Sequence, residues 1–169
     1  MQRHSVGSII AALNQQNVRY VVVGGLAVVA HGYVRFTADV DLMLALDEPN
    51  LARAVVALES LGYRPRAPVE FEEFIEPANR RKWIAEKGMT VFSLFSPAHP
   101  ATEIDLFAEN PLDFSAAFQR SVPIEISPGI MAQVCSVADL IQLKSLANRP
   151  RDREDIEQLK RLNKDAARE

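Results

Sequence analysis

Asp39-Val40-Asp41 is the triplet in this sequence that packing alone explains least well. Residues two apart on a strand point to one face, so both carboxylates are expected at one place. Two carboxylates that close repel and raise each other's pKa unless a cation sits between them. Val40, Leu42, Met43 and Leu44 mark the strand as buried, and a buried acid pair is costly unless it is ion-paired or binds metal. Hard oxygen donors of this kind suit Mg²⁺ or Mn²⁺. Asp-x-Asp alone is common at strand mouths, and the second acidic run, Glu103-Ile104-Asp105-Leu106-Phe107, gives it weight. Asp105 lies opposite in face to Ile104 and Leu106. Beside the first acidic strand it would supply the third carboxylate of a two-metal site, with Asp39, Asp41 and Asp105 as ligands. Glu103 shares its face but stands at the strand start, where solvent is expected.

Fifteen residues before Asp39, Val21-Val22-Val23 runs into Gly24-Gly25 and then Leu26-Ala27. Glycines between a strand and a helix let backbone N–H groups approach a ligand, and a helix N-terminus favours phosphate. Neither a Walker loop nor a dinucleotide fingerprint is present, because no Gly-Lys-Ser/Thr and no Gly-x-Gly-x-x-Gly follows.

These residues need a scaffold, and the pattern describes one. Val6, Ile9, Ile10 and Leu13 give a helical stripe over 5–17, with Ser5 as its cap. Strands are expected at 19–23 and 39–45, a short helix at 26–31 closed by Gly32, and a helix from Pro49 to Ser60 stopped by Gly62. Residues 64–79 read as a loop with one helical turn near Glu70–Phe74. Arg81–Glu86 and Met89–Phe95 read as a hairpin about Lys87-Gly88, followed by a strand over 102–107 and a helix over 113–118. Val122–Ile126 and Ile130–Val134 are expected as edge strands, and helices start at Ser136 and Pro150. The order predicts an α+β fold with a mixed sheet, flanking helices and a C-terminal helical segment. The division expected is 1–134 for the sheet domain and 135–169 for helices packed on it.

Composition narrows the function classes. Hydrophobic residues at 48% permit a core, and a net charge of −3 excludes a nucleic-acid binder driven by bulk charge. The cluster Arg80-Arg81-Lys82 and the run Arg149, Arg151, Arg153, Lys160, Arg161 are the local basic features. Interspersed acids make the second mainly a solvated helix with i,i+4 pairs. The longest apolar run, 21–30, holds two glycines and is too short to span a membrane. The stretch Met1-Gln2-Arg3-His4-Ser5 begins no signal-peptide core. The lone Cys135 reads as a packed thiol. A reducing, cytoplasmic setting is expected.

Gly24-Gly25-Leu26-Ala27, His31-Gly32, Arg35, Thr37 and Asp39-Val40-Asp41-Leu42, with the later Asp105, resemble the polymerase-β nucleotidyltransferase superfamily. Gly-Gly-x-Ala with Arg-x-Thr before the acid pair is most similar to bacterial abortive-infection type nucleotidyltransferase toxins and their relatives. Lys144, Arg149 or Arg151, and Asp152 with Asp155 match a C-terminal Lys, Arg, Asp-x-x-Asp pattern of those relatives. Ala27 departs from the subfamilies that place a serine hydroxyl on the triphosphate, which leaves that binding to backbone N–H groups and a cation.

The resemblance implies a minimal nucleotidyltransferase fold, an NTP substrate and NMP transfer to an acceptor hydroxyl. It gives Asp39, Asp41 and Asp105 the two metals, Gly24 and Gly25 the β/γ phosphates, and Arg35 and Thr37 the cleft rim. Lys144 falls on the apolar face of Val137, Leu140 and Ile141. It either snorkels outward or meets the triphosphate from a covering helix, with Arg149 and Asp152 nearby. Asp152 and Asp155 also suit a first helical turn and could pin Arg149, Arg151 or Lys144. Acceptors in view are tRNA or protein, for a toxin with a cognate antitoxin. An aminoglycoside- or lincosamide-type antibiotic is the alternative, with Glu70, Glu72, Glu73 and Glu76 lining an acidic pocket. A non-catalytic nucleotide-binding module is the third reading.

Overall fold

The computed structural model describes residues 3–166, and their side chains from 4 to 164. Met1 and Gln2 of the stretch Met1-Gln2-Arg3-His4-Ser5 lie outside the described residues. The first helix, α1 (Arg3–Gln15), buries Ile9, Ile10 and Leu13 on its apolar stripe. Ser5 is not its cap. It lies inside the helix, buried, with its hydroxyl 2.9 Å from His99 Nδ1.

Strand β1 (Tyr20–Val23) is buried throughout and ends at Gly24, whose φ of +64° turns the chain into α2 (Gly24–Ala30). An extended segment leads to β2 (Asp39–Leu44), then α3 (Glu48–Glu59), N-capped by the Asp47 carboxylate. A two-residue strand, β3 (Arg64–Pro65), and a 3-10 turn at Phe71–Phe74 follow.

The expected strand at 81–86 is instead the helix α4 (Pro77–Lys87). Its ends explain the difference. The Glu76 carboxylate accepts the Ala78 N–H, Pro77 occupies the first turn, and Gly88 closes the helix at φ +60°. Lys87-Gly88 is thus a helix stop rather than a hairpin turn. Arg80 is buried and donates to the carbonyls of Phe74 and Ile75 at 2.5 and 2.8 Å. The first basic cluster therefore loses one of its charges to fold construction.

Strands β4 (Val91–Phe95) and β5 (Glu103–Phe107) precede α5 (Phe114–Arg120), the hairpin β6 (Val122–Ser127) and β7 (Ile130–Val134), α6 (Val137–Ala147) and α7 (Pro150–Ala166). The seven strands form one mixed sheet in the order β3-β4-β5-β2-β1-β7-β6. Only β6 of the last hairpin is an edge, because β7 pairs in parallel with β1.

One register matters most. Strands β2 and β5 run in parallel with Asp39 opposite Glu103 and Asp41 opposite Asp105. Alternation then sends Val40, Leu42, Ile104 and Leu106 to the core face. Phe92, opposite Leu106, packs against Phe71, Phe74 and Trp83 with centroids 6.0, 4.8 and 5.4 Å away. The 3-10 turn and α4 thus anchor the acidic strands from behind. On the other side α6 contacts α2 and α7, and Arg120 of α5 holds Asp139 of α6 at 2.9 Å. Among the described residues no helix is long and apolar enough to cross a membrane.

Candidate active site

The parallel register puts Asp41 and Asp105 side by side in the middle of the sheet. Burial, then the charges of Asp105 and Asp39, push the Asp41 carboxyl up to about 6. Asp39 is also raised, by burial first and then by Asp105 and Glu103. Two groups oppose the shift of Asp41: the Gly25 backbone N–H and the Lys144 ammonium. Asp105 has its own donor, since Ser93 on β4 gives its hydroxyl to Oδ1 at 2.6 Å.

Glu103, the rival to Asp105, is taken by Arg66. The guanidinium grips both carboxylate oxygens, with the Nε bond at 2.8 Å, and this holds Glu103 below the usual range. Arg66 also lies over the Phe95 ring, 5.2 Å from its centroid.

The glycine turn is pressed against the acids. A Cβ at Gly24 would sit 2.0 Å from Asp41 Oδ2, and one at Gly25 would sit 2.3 Å from Thr37 Oγ1. No side chain fits at either position. The Gly25 N–H faces the Asp41 carboxylate, so its present partner is the acid rather than open space.

Across from the acids stands a cluster of four charged groups. Lys144 is buried, with Nζ 3.0 Å from Asp152 and 2.6 Å from Asp155. It therefore neither snorkels outward nor stands uncompensated over the cleft. Arg35 Nη2 donates to Asp155 Oδ2 at 2.8 Å. Its Nε approaches Oδ1 at 2.8 Å as an ion pair without hydrogen-bond alignment. The Arg149 N–H caps the other oxygen of Asp152 at 3.1 Å.

Between these walls lies a cavity of about 600 Å³. Asp39, Asp41, Asp105, Lys144, Gly24, Gly25, Arg35, Thr37, Arg149 and Asp152 all line it. Its remaining wall is apolar, from Val91, Phe107, Leu140, Leu143 and Leu146, with Phe36 and Arg151 at the mouth. Glu70, Glu72, Glu73 and Glu76 do not line it. Glu70 and Glu73 form a capping box on the 3-10 turn, and Glu76 caps α4. Cys135 is buried and its thiol is pushed up to about 12 by desolvation, as suits a packed residue.

Ser93 and Phe36 carry no mark in the sequence. Only the antiparallel register of β4 on β5, with Ser93 opposite Asp105, reveals the first.

The fit of a divalent metal rests on this donor set. Among the described residues no three His, Cys, Asp or Glu side chains are gathered closely enough to hold a metal. The pair Asp41–Asp105 is preassembled and the expected triad is not. A pair suits Mg²⁺, which is usually held by one or two carboxylates with phosphate oxygens and water completing the shell. The like charge that raises Asp41 is what such a cation would relieve.

Solved structures with the same fold exist. A solution structure of the antibiotic-resistance factor ANT(2'')-Ia superposes with a TM-score of 0.60 at 17% identity, over 94% of this chain and 82% of that one. A crystal structure of ANT(2'')-Ia in complex with adenylyl-2''-tobramycin gives 0.56 at 17% identity, over 95% and 94%. No curated protein matches the chain. The family model DUF6036, described as a nucleotidyltransferase of unknown function, matches residues 6–164. With nearly its whole length matched, the chain belongs to this family of nucleotidyltransferases and is an enzyme of that class.

Proposed function

We propose that this nucleotidyltransferase moves NMP from a magnesium-bound NTP to a hydroxyl of an RNA end in the cytoplasm, with Asp41 and Asp105 as the carboxylates of the reaction. The carrying observation is their side-by-side placement against the Gly24-Gly25 turn at the floor of the cavity. Bound divalent metal would lower the pKa of the acceptor hydroxyl and offset charge on the departing pyrophosphate. Asp41 and Asp105 would hold it, and Asp39, two residues before Asp41 on the same face, would complete the set.

The chain's own residues do the rest. No Cβ separates the glycine turn from the acids, and α2 begins at Gly24. A phosphate bound there would be met by backbone N–H groups once the Gly25 N–H exchanges its bond to Asp41 for one to phosphate. Asp105, held by Ser93, is oriented to accept the hydroxyl proton. Arg35 and Lys144 carry positive charge beside the turn, and Asp155 and Asp152 offset it. With the cavity's charges nearly balanced, a triphosphate needs its own cations to enter.

Two observations support RNA or protein over a polycationic antibiotic as acceptor. Arg149 and Arg151 are exposed at the cavity mouth, and the glutamates expected to receive an aminoglycoside, Glu70, Glu72, Glu73 and Glu76, are not among the residues that line it, whose acids are Asp39, Asp41, Asp105 and Asp152. The adenylylated tobramycin bound by the structural neighbour keeps the small-molecule reading as the alternative. A toxin close to the abortive-infection type, with a cognate antitoxin, is the biological setting that an RNA acceptor fits. Incubation with each labelled NTP plus Mg²⁺ and either total tRNA, purified protein or aminoglycosides tests the proposal. Label on tRNA supports it. Label on aminoglycoside alone would replace the acceptor, and no transfer to any of the three would remove the reading.

A further inference from the structure

The segment between α2 and β2 alternates like a strand yet joins no ladder among the described residues. Tyr33, Arg35 and Thr37 are half-buried, while Val34 and Phe36 are 86% and 70% exposed. Something other than a neighbouring strand must hold it. The three contacts that do so come from α7. Glu154 accepts the Tyr33 hydroxyl at 2.8 Å, Asp155 takes the Arg35 guanidinium, and Arg151 donates to the Phe36 carbonyl at 2.8 Å. Positions 151, 154 and 155 are spaced i, i+3, i+4 and lie on one face of the helix.

Asp155 is the buried member of this set, only 1% exposed at its side chain, and it meets both Arg35 and Lys144 of the cavity lining. The held Arg35 guanidinium lies 3.1 Å from where a Cβ of Gly25 would stand. Thr37, on the same side of the segment, touches the same glycine.

We infer that Asp155 is a positioning residue for nucleotide binding, and that α7 is a clasp setting Arg35 against the phosphate-facing glycine turn. This rests on the proposed reading of the turn as the triphosphate site. Asp155 lies outside the cavity lining and touches no substrate. It acts by fixing the direction of one guanidinium and the distance of one segment. An arginine so fixed loses less freedom when it meets a phosphate oxygen, which is how a remote carboxylate raises affinity.

The test is a double-mutant cycle on Mg²⁺–NTP affinity by calorimetry, using whichever of ATP, CTP, GTP and UTP the wild type binds best. Arg35→Met and Asp155→Asn should each weaken binding by about tenfold, within the range of contacting pairs. If Asp155 acts through Arg35, the double variant should bind no worse than Arg35→Met alone. A purely structural loss would not show that coupling. Wild-type affinity in Asp155→Asn, or losses that multiply in the double variant, would overturn the inference and leave the function standing. A wild type that binds no NTP overturns both. Should Asp155→Asn fail to fold, Arg35→Lys reads the same contact, since it keeps the cation and loses the fork. Its affinity is expected to fall about tenfold, and unchanged affinity would overturn the inference.

Discussion

The two charged walls of the cavity solve opposite problems. On the sheet, Asp41 and Asp105 stand side by side with no ion-pair partner among the described residues, and burial first, then the charges of Asp105 and Asp39, lifts Asp41 to about 6. On the helical side, Lys144, Arg35, Asp152 and Asp155 are as deeply placed, yet each charge meets an opposite one within 3.0 Å. The helical wall is electrostatically complete. The sheet wall has no such pairing among the described residues, and under the proposed function a bound cation would supply it. Charge balance distinguishes the two walls, and on the proposed function the unbalanced one is where the reaction would take place.

Breaking the balanced wall should have the largest effect on stability. Lys144→Met keeps the apolar stem and removes the ammonium between two buried carboxylates. Leaving that charge uncompensated typically destabilises by about 3–5 kcal/mol. Chemical denaturation at neutral pH checks it, and a variant as stable as wild type would mean the cluster is not coupled as drawn.

The unbalanced wall should respond in the other direction. Asp41 rises from 3.8 to about 6 on folding. Between those values the folded chain keeps a proton that the unfolded chain has released. Its contribution to stability is therefore full below about pH 4, is lost as pH rises through 6, and stays lost above. At 1.36 kcal/mol per pKa unit the ionised Asp41, desolvated and beside like charge, weakens the metal-free fold by about 3 kcal/mol at pH 8. Asp41→Asn should remove transfer activity, raise stability at pH 8 by up to that amount, and flatten the slope between pH 4 and 6. Added Mg²⁺–NTP should stabilise the wild type and not the variant. Loss of stability with activity retained would reverse the assignment of the two walls.

A smaller change sharpens where the walls meet. At Gly24 the backbone has a φ of +64°, and a Cβ would lie 2.0 Å from Asp41 Oδ2. Left-handed strain and that contact act together, and Gly24→Ala should destabilise by about 1–3 kcal/mol. It should also weaken Mg²⁺–NTP binding, because the displaced group is the carboxylate itself. Binding at wild-type strength would show that the turn yields and that the close approach has no functional part.

How much of this was legible in the sequence depended on whether a signal was local. Asp-x-Asp with alternating Val40 and Leu42 specified strand and face within four residues, and Gly24-Gly25 announced a turn that no side chain could occupy. The strand expected at 81–86 failed because Trp83 and Ile84 suggest β structure, while the deciding signals, Glu76-Pro77 before it and Gly88 after it, are helix caps read only as a set. Lys144 was visible as a lysine on an apolar stripe, and Asp152 with Asp155 as its candidate partners. Which of the alternatives held depended on the angle at which α7 returns over α6, and no local pattern encodes that angle. The clasp on Arg35 was hidden for the same reason, since its ends lie 120 residues apart.

Ser93 is the clearest case of a residue that only register reveals, and it offers the mildest test. Its hydroxyl donates to Asp105 Oδ1 at 2.6 Å from the neighbouring strand, and the pair is partly buried. Ser93→Ala removes one hydrogen bond and leaves Asp105 in reach of solvent, so the fold should lose only about 1 kcal/mol. If Asp105 works as part of the metal-holding pair, its orientation matters more than that figure suggests. Partners that orient metal ligands typically change affinity or activity by about 10–100-fold, and the low end is expected here because Asp105 keeps its strand position. Ser93→Thr restores the hydroxyl on a residue that strands favour and should recover most of the binding. The measurement is Mg²⁺–NTP affinity beside thermal stability for both variants. Recovery in Ser93→Thr but not Ser93→Ala, at similar melting temperatures, assigns Ser93 to the sheet wall's chemistry. Equal binding in all three proteins would make it an ordinary strand serine, and Asp105 would then need no support to act.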